Sequence, residues 1–155
     1  MTASGWQPAA EAPNRLIPPE ADTLRCAINS DIHGGTMAKA VYFLVELSIK
    51  DGQFDAFESI AQQMIAGTRN EKGALGYEWY LSADRKRCRL VETYADADAV
   101  LAHMTGSVVQ QLVPKILQHS SIDRFEVYGD PGAKAAAMVT GVGAEIFGPW
   151  HSLGR

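Results

Sequence analysis

The chain has 155 residues, of which 46% are hydrophobic and 21% charged, with a formal net charge of −4. That length and composition suit one globular domain and exclude a disordered or disulfide-built chain, and the acidic balance argues against nucleic acid or an anionic membrane as partner, since both need a basic field. Cys26 and Cys88 lie far apart with no CxxC spacing, no apolar run approaches the roughly 20 residues of a membrane span, and the start lacks signal-peptide character, so the reading is a cytoplasmic protein.

Residues 1–36 hold Pro8, Pro13, Pro18, Pro19 and a Gly34-Gly35 pair without any sustained period. They read as an N-terminal extension, poorly ordered or gripping a partner subunit as an arm. Patterned sequence follows, and the domain is placed at 37–130. VYFLVELSI, Val41 to Ile49, is β-branched and aromatic and stops at Asp51-Gly52, the mark of a strand and turn. Phe54, Phe57, Ile60, Ala61, Met64 and Ile65 then fall on one stripe of an amphipathic helix. ALGYEWYL is a second strand with Leu75, Tyr77, Trp79 and Leu81 on one face. Asp84-Arg85-Lys86 turns it into a third strand, RCRLVETY, from Arg87 to Tyr94. Asp96 suits the cap of the next helix, which carries Val100, Leu101 and Met104 and breaks at Gly106. Ser107 is placed as the cap of a further helix, with Pro114 expected to kink it. Ile122 to Tyr128 is the fourth strand. Residues 131–155 read as a turn of alanine-rich helix followed by an edge strand or tail.

The order βαββαβ predicts a ferredoxin-like α+β fold, an antiparallel sheet with its helices on one face. Phe43, Val45 and Leu47 would face those helices, leaving Tyr42, Leu44 and Glu46 on the other face. A face that mixed is too apolar for open water and too polar for a core, so a homodimer with sheet against sheet is expected.

No metal site stands out, because His33, His103, His119 and His151 are scattered without ligand spacing. Phosphate-binding glycine loops and a GxSxG elbow are also missing. The cluster Arg85, Lys86, Arg87 and Arg89 reads as solvated charge at a hairpin. Strand three is more informative: if Leu90 faces the helices, the period of two sends Cys88, Glu92 and Tyr94 the same way. A carboxyl on an apolar face either meets a partner or titrates high enough to act as acid or base. His103, between Leu101 and Met104, is either a satisfied core histidine or a proton shuttle. Phe43, Val45, Tyr77, Trp79 and Cys88 are candidate walls of a pocket for a flat, mostly apolar ligand, with His103, Glu92 and Tyr94 as candidate catalytic residues. A phenol or hydroquinone losing its proton there becomes an anion electron-rich enough to reduce dioxygen without flavin or metal.

The stretch KGALGYEWYLSADRKRCRLVETYADADAVLAHMTGS, with Gly73, Gly76-Tyr77, Glu92-x-Tyr94, an acidic cap and His103, resembles the antibiotic biosynthesis monooxygenase family of dimeric α/β barrels. The resemblance runs from about Val41 to Tyr128. It implies a ferredoxin-like dimer that oxidises quinols or phenols with dioxygen and no cofactor. Within the family pattern His103 matches the helix histidine, Glu92 and Tyr94 the strand-three pair, and Tyr77 or Trp79 the strand-two aromatic. The haem-degrading branch of the family needs an asparagine and a histidine where this chain has Val45 and about Val113, so haem is not expected. A small aromatic substrate and dioxygen are the implied partners, with no nucleic acid and no membrane. The alternative is a non-catalytic dimeric module that binds an aromatic or lipid-like metabolite.

Overall fold

A computed structural model describes residues 40–151 and Leu153. The extension expected at 1–36 lies outside the described residues. The elements in order are β1 (Val41–Ile49), α1 (Phe54–Thr68), β2 (Ala74–Leu81), β3 (Arg87–Tyr94), α2 (Ala97–Thr105), α3 (Ser107–His119), β4 (Ser120–Tyr128), α4 (Gly132–Gly141) and β5 (Glu145–Phe147). The strands form one sheet in the order β2-β3-β1-β4-β5. Among the first four strands every pairing is antiparallel, as the ferredoxin-like order requires. The expected edge strand is β5, which pairs parallel to β4 because α4 serves as a crossover, so the whole sheet is mixed. No helix among the described residues is long and apolar enough to cross a membrane.

Strand β1 sits between β3 and β4, and its alternation is complete: Val41, Phe43, Val45, Leu47 and Ile49 are buried against the helices. The core divides into two clusters. Val41, Phe43, Tyr94, Val100 and Val127 pack under α2 and α4, whereas Val45, Leu47, Phe57, Met64, Leu90 and Ile116 pack under α1 and α3.

Two local expectations change. Leu75 is 67% exposed where the register of β2 against β3 slips between Ala74 and Gly76, and Leu81, in register with Cys88, is exposed because β2 is an edge strand. The cap of α3 is Gly106, in extended conformation, with Ser107 already the first helical residue and no side chain capping the end. Helix α3 is one element from Ser107 to His119 with Pro114 inside it. The cap of α2 is as expected: Asp96 accepts a hydrogen bond of 3.0 Å from the Ala99 N–H.

Candidate active site

Register assembles the site. Phe43, Glu92 and Tyr77 lie side by side across β1, β3 and β2, and Val45, Leu90 and Trp79 form the next row on the same face. The two rows floor a cavity of about 150 Å³ at the seam between the core clusters. Helix α3 roofs it with Val109, Val113, Ile116 and Leu117, and α2 closes one end with His103 and Met104. Asp96 fixes where α2 begins, so Val100, His103 and Met104 share its buried stripe.

Of the residues proposed from sequence, Phe43, Val45, Tyr77, Trp79, Glu92 and His103 all line this cavity. Tyr94 and Cys88 do not. Tyr94 stands one row beyond Glu92, fully buried behind it, and its hydroxyl donates to Glu92 Oε2. Cys88 stands one row beyond Leu90 and faces instead a shallow groove beneath α1, beside Phe57 and Ala61. Burial pushes its thiol up to about 11, against the thiolate form.

Glu92 and His103 are both almost fully buried, at 4% and 3% exposure. His103 Nε2 lies 3.7 Å from Glu92 Oε2, too long for a hydrogen bond and short enough for one hydroxyl to reach both. On the other side of the ring, Nδ1 lies 2.6 Å from Glu71 Oε2. Glu71 is a site residue that sequence reasoning misses. It stands in the turn after α1, where neither helical nor strand period carries a signal, and only the folded chain brings it to α2. Tyr94 and Tyr77 pack against the imidazole with ring centroids 5.1 and 5.8 Å away. The Tyr77 hydroxyl and Trp79 Nε1 are buried with no hydrogen-bond partner among the described residues, which leaves two donors in the cavity wall unpaired.

Burial raises the Glu92 carboxyl above its ordinary value, with His103 and the Tyr94 hydroxyl acting against that rise. Burial next to Glu92 raises both phenols, Tyr94 and Tyr77, so they remain donors. The folded state therefore holds the Glu92 proton more tightly than the unfolded chain does, and stability falls as pH rises from about 4.5 through the higher folded value. Glu92→Gln, which can still accept from Tyr94, removes that dependence. Urea midpoints of the variant are expected to gain on those of the parent between pH 5 and 8; parallel curves would mean that Glu92 titrates normally.

The profile of the antibiotic biosynthesis monooxygenase family matches residues 40–115. No curated protein matches the chain. Among solved structures, MupZ from Pseudomonas fluorescens is 22% identical with a TM-score of 0.68, over 78% of this chain and 93% of that one. SnoaB, described as a cofactor-independent oxygenase from Streptomyces nogalater, is 14% identical with a TM-score of 0.54, over 62% of this chain and 97% of that one. At such identities these structures establish the shared fold. The matched segment contains β1, β2 and β3, helix α2, and the whole Glu71, Glu92, Tyr94 and His103 group. Residues 40–115 are thus an antibiotic biosynthesis monooxygenase domain.

Proposed function

We propose that the chain is a cofactor-independent monooxygenase that oxidises a small aromatic quinol or phenol with dioxygen. The observation that carries this reading is His103 Nε2 facing buried Glu92 at the end of an otherwise apolar cavity. A volume of about 150 Å³ suits one aromatic ring, since apolar cavities of that size hold benzene. Among the described residues no lysine or arginine lines the cavity, which favours an uncharged substrate. The family domain and the fold shared with SnoaB support the oxygenase class.

In this reading a substrate hydroxyl bridges His103 Nε2 and Glu92, and the imidazole takes its proton. The resulting phenolate gives one electron to dioxygen, and the radical pair joins at a ring carbon ortho or para to the oxygen that carries hydrogen, the ortho carbon in a hydroquinone. The ring C–H proton and the O–O bond are then lost, with Glu92 protonating the departing hydroxide. A phenol and dioxygen thus become a quinone and water. Apolar walls keep water from the radicals and strengthen the proton transfers.

We also infer a homodimer through the open face of the sheet. Tyr42, Tyr80 and Tyr128 are exposed there, around an ion-pair row in which Glu46 meets Arg89 at 3.1 Å and Arg124 at 3.8 Å. Repeated on a second copy, aromatics and paired charges of that kind are self-complementary.

The test is oxygen uptake with ultraviolet spectra on a panel of hydroquinones in aerated buffer. One dioxygen consumed per product, at a rate far above that of heat-inactivated protein, is the expected result. Binding with no turnover above autoxidation would sink the oxygenase and leave a metabolite-binding module.

A further inference from the structure

Glu71 has no part in the steps just described, yet it makes the shortest contact to the imidazole, 2.6 Å from its Oε2 to His103 Nδ1. We propose that Glu71 is the positioning residue of this site, holding His103 in the tautomer whose proton sits on Nδ1 and whose Nε2 lone pair faces Glu92 and the cavity. The inference rests on the reading of His103 as the base and deepens it.

The two ring nitrogens are in unequal surroundings. Nδ1 has an acceptor at hydrogen-bond distance, and Nε2 has none. The Glu92 oxygen nearest to Nε2 already accepts from Tyr94. A neutral imidazole has one N–H, and its place is set by the partner that can take it. Glu71 is that partner, and Nε2 is left as the acceptor.

The two carboxyl groups also differ in exposure. The Glu71 side chain is 20% exposed, so one edge of it keeps water, whereas Glu92 is sealed inside the core. Glu71 therefore reaches Nδ1 while keeping contact with water, whereas burial favours the neutral form of Glu92. When the substrate O–H bond breaks, its electron pair stays on oxygen and the proton bonds to Nε2. The Nδ1 proton stays shared with Glu71 throughout, and the carboxylate stabilises the imidazolium that forms, the role of the buried aspartate in serine-protease triads.

The turn carrying Glu71 is built against helix α2. Its N–H donates to Thr68 O at 2.9 Å, and Gly73 O accepts from the Ala95 N–H at 2.9 Å, tying the turn to the end of β3. Gly73 has φ +89°, and a Cβ there would lie 2.6 Å from the Cβ of Ala99 in the first turn of α2. Glycine at this position lets the turn close on the helix that holds His103.

Long-range proton–nitrogen NMR on the full chain, labelled with 15N at histidine, reads the tautomer directly. The His103 signals are those missing from the His103→Ala spectrum. The parent is expected to show Nδ1 protonated and Nε2 bare. Glu71→Leu, which has no acceptor, should shift population to the Nε2–H form and lower kcat by about 10- to 100-fold with KM little changed. Glu71→Asp should keep the tautomer and recover much of the rate. An Nε2–H tautomer in the parent, or an unchanged Nδ1–H tautomer in Glu71→Leu, overturns the inference. The parent spectrum alone decides if Glu71→Leu does not fold. Because the tautomer is read without substrate, a chain that oxidises no quinol would refute the oxygenase, and the spectra would still decide whether Glu71 positions His103.

Discussion

His103→Ala is expected to lower turnover of a small quinol by about 10²–10⁴-fold, the range that a positioned general base contributes. The ring is 3% exposed and is the one imidazole lining the cavity among the described residues. Glu92, its neighbour, is driven towards the neutral form by burial and makes a poor substitute base. Tyr94 and Tyr77 are held protonated by the same burial. Without His103 the substrate proton has no acceptor of suitable strength in the cavity. The substitution also strands Glu71 and Glu92, so a modest loss of stability is expected beside the rate effect, and the two are separable by measuring kcat well below the thermal midpoint. Imidazole added to the buffer should restore part of the rate, because the deleted ring leaves a space of its own shape at the cavity end. A variant that keeps the parent's rate, or one that loses rate only as it unfolds, would make His103 a structural residue.

The strands were legible because β-branched and aromatic runs bounded by Asp-Gly and Asp-Arg-Lys turns leave little freedom, and the period of two on β3 correctly put Cys88, Leu90, Glu92 and Tyr94 on one face. A shared face is weaker information than a shared cavity. Rows along a strand are about 7 Å apart, so Tyr94 falls one row beyond the cavity, and in the Cys88 row the cavity is reached from the β1 side by Leu47 while Cys88 turns to the groove beneath α1. Leu75 misled because the register slips beside it, and Leu81 because the end of an edge strand is exposed on the face that alternation gives it. Glu71 was invisible for a different reason: its partner is 32 positions away and its own segment is a turn, so nothing local distinguishes it from solvated charge. The contact of Glu71 with His103 joins a turn to a helix, and sequence periodicity describes neither turns nor their tertiary partners.

Phe43→Ala is expected to cost about 3–5 kcal/mol, the usual loss for truncating a buried phenylalanine. The residue is 2% exposed on β1, with paired strands on both sides. Its ring meets Tyr94 and Phe125 edge to face, with centroids 5.2 and 5.3 Å away, a geometry worth more than the buried area alone. The residues beneath it belong to a sheet and cannot collapse into the space, so the cavity cost is expected in full. Domains of this size hold only about 5–15 kcal/mol in all, and the variant should lie near its folding limit, visible as a large drop in urea midpoint at unchanged slope. A loss below about 1 kcal/mol would mean that the core relaxes around the site more freely than its packing implies. Phe43→Leu keeps more of the volume and should fold. The space it opens joins the cavity at the Glu92 row, so a fused two-ring phenol should raise the thermal midpoint of Phe43→Leu more than that of the parent. Equal shifts would place the ligand elsewhere and separate Phe43 as a core residue from Phe43 as a wall of the site.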